Sequence, residues 1–297
     1  MFRPIKRLIK TIAVIAIYRI FNIVNSINKG QISQIILMNQ YQQLAEINKL
    51  PKFSDTGFHV YSQTDEDGFL LFIFSLIGST NKKVLEICAG YGIECNAANL
   101  IINHGWQGLL FDGDPDNIKI GKTVYSSLKA TNNKPPILVN AWITAENINE
   151  LITQNGFKDE IDLLSLDIDG VDYWILKSIN CVKPRVIILE YNTYWGAEES
   201  VTVPYDKEFK ARIINKAYYC GASLRAFVNL GKDLGYRLVG ANTQQYNAFF
   251  IRNDIGTDIF PEVSVESCLT LHTDSTDSNS PNQHNFPLIS TLPWIRV

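Results

Sequence analysis

Residues 84–95, VLEICAGYGIEC, decide the fold. A short apolar run enters a turn containing Gly90 and Gly92, and a helical pattern, CNAANLIINHG, leaves it. Strand, glycine turn and helix in that order make a ligand cradle: glycines let the backbone approach closely, and the helix start offers free N–H groups. Glu86, at the strand end, would repel a pyrophosphate. The turn therefore suits a ligand that carries positive charge or hydroxyls. Cys88 stands where a glycine would be expected, and its small side chain is tolerable if its backbone dihedrals are ordinary.

The same grammar continues on the C-terminal side. GLLFDGD leads to the helical PDNIKIGKTVYSSL, PPILVNAWI to ENINELITQNG, and IDLLSLDID to VDYWILKSI. A fifth strand, RVIILEYN, precedes a polar loop and the helix GASLRAFVNLGKDLG. YRLVGANT and NAFFIRND, joined by QQY, then read as a hairpin. Alternating strands and helices predict a mainly parallel α/β sheet with helices on both faces. Before the first strand, HVYSQTDEDGFLLFIFSLIG predicts a helix from Ser62, with Ser62 as its N-cap and Asp65 completing the start signal.

With 297 residues, 46% hydrophobic and 19% charged, the chain suits one domain of about 200 residues with extensions. The organisation read here is an N-terminal extension over 1–58, a catalytic domain over 59–254 and a polar, loosely packed tail over 255–297. The net charge of −3 comes with no basic patch in the body, which excludes nucleic acid as a partner. Five scattered cysteines without a CxxC, and four histidines that do not cluster with them, leave no zinc site or disulfide framework.

Residues 1–45 differ, with six basic side chains (Arg3, Lys6, Arg7, Lys10, Arg19, Lys29) and no acidic one. The apolar run TIAVIAIY has eight residues, far short of the ~20 that span a bilayer. Wound as a helix, residues 1–29 place isoleucines on one face and most of the cations on the other. Two readings stand: a helix lying on the inner membrane surface of the cytoplasm, or one packed on the domain.

A second signal lies 22 residues beyond Gly90, where LLFDGDPDN puts Asp112 and Asp114 at the end of the second strand. An acid there is placed to accept hydrogen bonds from ribose hydroxyls. VLEICAGYG, LLFDGDP, VNAWI and LLSLDIDG, in this order, resemble the successive motifs of a class I S-adenosylmethionine-dependent methyltransferase. YSQTDEDG and LDIDGVDYWIL are similar to its FkbM-like branch. The resemblance covers residues 59–254 and implies a Rossmann-like sheet ending in an antiparallel hairpin. It implies S-adenosylmethionine as cofactor, with Glu86, Cys88, Gly90 and Gly92 along its methionine end. Asp112 and Gly113 would sit at the ribose, Ala141 and Trp142 at the adenine, and Gln63 within reach of cofactor or acceptor. The implied activity is O-methylation of a sugar, on a glycolipid or polysaccharide precursor. Cys88 departs from the family's E-x-G-x-G-x-G.

LLSLDIDGVDYW brings Asp167, Asp169 and Asp172 to the mouth of the same cleft, and ILEYN adds Glu190 and Asn192. Methyl transfer to a hydroxyl needs a group to take its proton, and a carboxylate suits that role. Asp167, Asp169 and Glu190 are the catalytic candidates. One aspartate after the fourth strand is equally expected as a helix cap, and a pair of carboxylates is also able to hold a divalent cation, although no metal is assigned. Trp195, Pro204 and Tyr205 lie where a substrate-covering loop is expected. Two rivals remain: a metal-dependent glycosyltransferase using the D-x-D of Asp112 and Asp114, and an inactive membrane-associated scaffold of the same fold.

Overall fold

A computed structural model describes residues 29–214, 217–269 and 287–297. The interfacial helix expected over 1–29 thus lies outside the described residues, except for Lys29. Five strands run in parallel: β1 (Lys83–Ile87), β2 (Gln107–Asp112), β3 (Ile137–Asn140), β4 (Asp159–Leu166) and β5 (Val182–Glu190). Short strands β6 (Val201–Thr202), β7 (Arg212–Ile214) and β8 (Ala217–Tyr219) lie outside this sheet. The hairpin β9 (Tyr236–Ala241) and β10 (Asn247–Arg252) completes it, with β10 antiparallel to β5. The order is β3-β2-β1-β4-β5-β10-β9. It reverses between β1 and β4, and ligands of such sheets bind beyond the carboxyl ends of the strands at that point.

The strands read as nearly unbroken apolar runs because both faces are buried. Leu85, Ile87, Phe111 and Leu164 pack on one side, and Val84, Leu110, Leu163 and Val186 on the other. Helices α1 (Lys29–Glu46), α2 (Glu66–Ile77), α3 (Ala98–His104), α4 (Pro115–Ser127), α5 (Ile148–Gln154), α6 (Asp172–Ser178) and α7 (Leu224–Leu234) surround the sheet. α1 lies on the domain: Tyr41 meets Phe72 of α2 edge-on, with ring centroids 4.8 Å apart.

α2 begins four residues later than expected. The carboxylate of Asp67 accepts the N–H groups of Val60, Tyr61 and Ser62 at 2.8, 2.5 and 2.9 Å, folding YSQTD into a loop ahead of the helix rather than into its first turn. Ser62 is therefore not the helix N-cap. Its hydroxyl lies inside this loop, accepting the N–H of Asp67 at 3.3 Å.

The polar run of the tail, over 272–285, lies outside the described residues, and its flanks pack on the domain. Val265, Cys268 and Ile289 are buried in the main core, and β11 (Ile295–Arg296) pairs with β6.

Candidate active site

The glycine turn is held from beneath. Gly90 has φ +57°, its side-chain direction opens on free space, and its N–H donates to Asp112 Oδ2 at 2.9 Å. Asp112 Oδ1 accepts the Asp114 N–H at 2.8 Å and the Asn117 amide at 3.0 Å. This buried carboxylate thus ties the first turn to the second, and both of its oxygens already accept hydrogen bonds.

Two expected cleft residues point elsewhere. Glu86 is buried and accepts the N–H groups of Asn96 and Ala97 at 2.9 and 2.7 Å and the Ser165 hydroxyl at 3.2 Å. Its carboxylate shapes the approach to α3 and does not line the cleft. Burial raises its pKa, against the pull of these donors. A Cβ on Gly92 would lie 2.9 Å from Leu110, so this glycine faces the core.

Cys88 breaks the condition set for it. Its φ is +68°, in the left-handed region that costs a side-chain-bearing residue about 1–2 kcal/mol. Its side chain reaches solvent at the cleft mouth. Loss of surrounding water and then the charges of Asp112, Asp167, Asp172 and Asp169 push its thiol up to about 12. It remains a neutral thiol.

Asp167, Asp169 and Glu190 converge from the ends of β4 and β5, each offering a carboxylate oxygen within 4.8 Å of the others. Burial, then the charge of Asp167 and a hydrogen bond to it, lifts Glu190 well above the usual carboxylate range. Burial also raises Asp167, although that bond from Glu190 opposes the shift. Asp169, at φ +51°, is raised by burial alone. Asp172 folds back to accept the N–H groups of Ile168 and Gly170 at 2.8 and 2.9 Å. It closes the loop between β4 and α6, and is the structural aspartate of the set.

Two pockets open along this loop, the first lined by Gly170 and the second by its chain neighbour Asp169. The first is walled by Ile87, Cys88, Asp112, Gly113, Ala141 and Trp142 on one side, and by Ile168, Lys207 and Phe209 on the other. Gly113 is needed here, since a Cβ would sit 3.2 Å from the Trp142 ring. The Trp142 indole N–H donates to Lys207 O at 2.7 Å, drawing the segment after β6 over the pocket. The second pocket is lined by Gln63, Asp169, Glu190, Asn192, Tyr194, Tyr218, Cys220 and Tyr246.

The structure therefore brings Gln63, Asp169 and Glu190 to one pocket and Cys88, Asp112, Gly113, Ala141 and Trp142 to the other. Trp195 and Tyr205 do not join them. Trp195 packs edge-on against Trp294 at 5.1 Å, and the Tyr205 hydroxyl donates to Glu146 at 2.6 Å. Phe209, Tyr194, Tyr218 and Tyr246 escaped the sequence reading. They lie in loops or short strands without periodicity, and only the aromatic content of those loops hints at them.

No protein-family model matches the chain, and no curated protein matches it. Similar solved structures include the glycopeptide N-methyltransferase MtfA, at 11% identity and TM-score 0.38 over 60% of this chain and 91% of that one. The N-terminal domain of EvdMO1 with SAH bound is similar at 15% identity and TM-score 0.41, over 72% and 93%. A SAM-dependent methyltransferase from Methanosarcina mazei is similar at 14% identity and TM-score 0.36, over 57% and 90%.

Proposed function

We propose that this chain is an S-adenosylmethionine-dependent methyltransferase that O-methylates a sugar hydroxyl, as on a glycolipid or polysaccharide precursor. One observation carries the reading: on the loop leaving β4 at the strand-order reversal, Gly170 lines one pocket and its chain neighbour Asp169 lines another. The first pocket fits a nucleoside, offering apolar walls at Trp142, Ile143, Ile168 and Phe209 and a carboxylate at Asp112. Asp112 accepts three hydrogen bonds, and a carboxylate has about four acceptor sites, which leaves capacity for a ribose hydroxyl. The excess of carboxylates suits a cationic sulfonium.

When bound, the cofactor supplies an electron-poor methyl group. Asp169 then takes the proton of the acceptor hydroxyl, while the hydrogen-bonded Asp167 and Glu190 orient that hydroxyl beside it. Tyr194, Tyr218 and Tyr246 offer aromatic surface to a sugar, and among the described residues no lysine or arginine lines this pocket. A neutral acceptor group fits there better than a phosphate.

The glycosyltransferase alternative is weakened by Asp114, which caps α4 by accepting the Asp116 N–H at 2.9 Å. Unlike Asp112, it does not line the first pocket. The inactive-scaffold alternative rests on the strained Cys88.

The test is calorimetry of S-adenosylmethionine binding combined with methyl release on glycan precursors. Asp169→Asn is expected to bind the cofactor within about twofold of the parent and to lose methyl transfer by roughly 100-fold. Full activity in that variant sinks the role of Asp169. Failure of the parent to bind the cofactor sinks the whole reading.

A further inference from the structure

α1 carries an uncovered apolar face. Ile32, Ile35 and Ile36, spaced i, i+3 and i+4 on one stripe, are 61, 46 and 61% exposed. Gln34 and Tyr41 hold the opposite face against the domain, where the Gln34 amide exchanges hydrogen bonds with Asn99 at 3.2 and 3.0 Å. Burying three isoleucines in water-free surroundings is favourable, and among the described residues no side chain covers them.

Charge says what does. From residue 1 to residue 45 the chain has six cations and no carboxylate, so nothing on α1 before Glu46 repels an anionic surface. A protein partner of ordinary composition would not require that one-signed stretch, whereas acidic lipid headgroups complement it. Among the described residues no helix is long and apolar enough to cross a membrane.

We infer that α1 docks the protein on an anionic lipid surface, with Ile32, Ile35 and Ile36 entering the headgroup boundary and the basic residues of 1–29 supplying attraction. This inference stands apart from the methyltransferase reading, because its test needs neither cofactor nor acceptor.

The full chain is floated with phosphatidylglycerol vesicles and with phosphatidylcholine vesicles, at low and moderate salt. The parent should partition onto the anionic vesicles alone. The triple variant Ile32→Gln, Ile35→Gln, Ile36→Gln should bind them at least about tenfold more weakly, with an unchanged circular dichroism spectrum. Equal binding by the triple variant assigns the membrane contact to charge alone and overturns the role of α1. No binding by the parent overturns the lipid surface altogether. A dimer of the parent, seen by light scattering and abolished in the triple variant, would give the face to a second copy and likewise overturn it.

Discussion

Cys88 is the residue at which the chain departs from economy. At φ +68° a glycine would rest without strain, and the thiol makes no compensating hydrogen bond that the geometry records. Cys88→Gly should raise stability by about 1 kcal/mol, the left-handed penalty less the extra freedom of glycine in the unfolded chain. A higher urea midpoint at unchanged slope is the expected result. A lower midpoint would mean that the thiol packs usefully at the cleft mouth. Glu86 teaches the complementary lesson. Its position at the strand end was readable, but not its partners, because Asn96, Ala97 and Ser165 reach it only once the turn and β4 are in place.

Among the elements, the loop before α2 is seated on the hairpin by Thr64, Asp65 and, most deeply buried, Glu66. Glu66 is fully buried and accepts the Thr64 N–H and hydroxyl at 3.1 and 2.7 Å. It also accepts the side-chain amides of Asn242 and Asn247 at 3.0 and 2.9 Å, joining this loop to β9 and β10. Glu66→Ala should cost about 3 kcal/mol by orphaning these donors, measured by chemical denaturation. A loss below about 1 kcal/mol would show that water replaces the carboxylate. The long strands were legible because burial on both faces writes them as apolar runs, and the helices because glycine and aspartate mark their ends. β6, β7, β8 and β11 were not, since two or three residues carry no period. The second pocket was legible only at its carboxylates, at Gln63 and at Asn192. Its tyrosines come from segments distant in sequence, and no local pattern announces that they meet.

For the molecule as a whole, the crowded carboxylates set a pH dependence. Burial, then the charge of Asp167, raises Asp172 to about 7, whereas an unfolded aspartate titrates near 3.9. The folded state therefore binds this proton more tightly. Its stabilisation is fully present below about pH 4 and is lost as pH rises through about 7. The melting temperature should fall by at least about 3 °C between pH 6 and pH 8, and Asp172→Asn should flatten that decline. A profile that rises over this range, or one the variant leaves untouched, would contradict the assignment. The strand order has a consequence of another kind, in time. β5 receives its outer neighbour only when β10 exists, and the 62 residues from 191 to 252 separate the end of one from the end of the other. At roughly 5–20 residues per second, a growing chain shows the bare edge of RVIILE for about 3–12 s. That interval, rather than any property of the finished fold, is when this sheet is most open to pairing with a neighbour's strand.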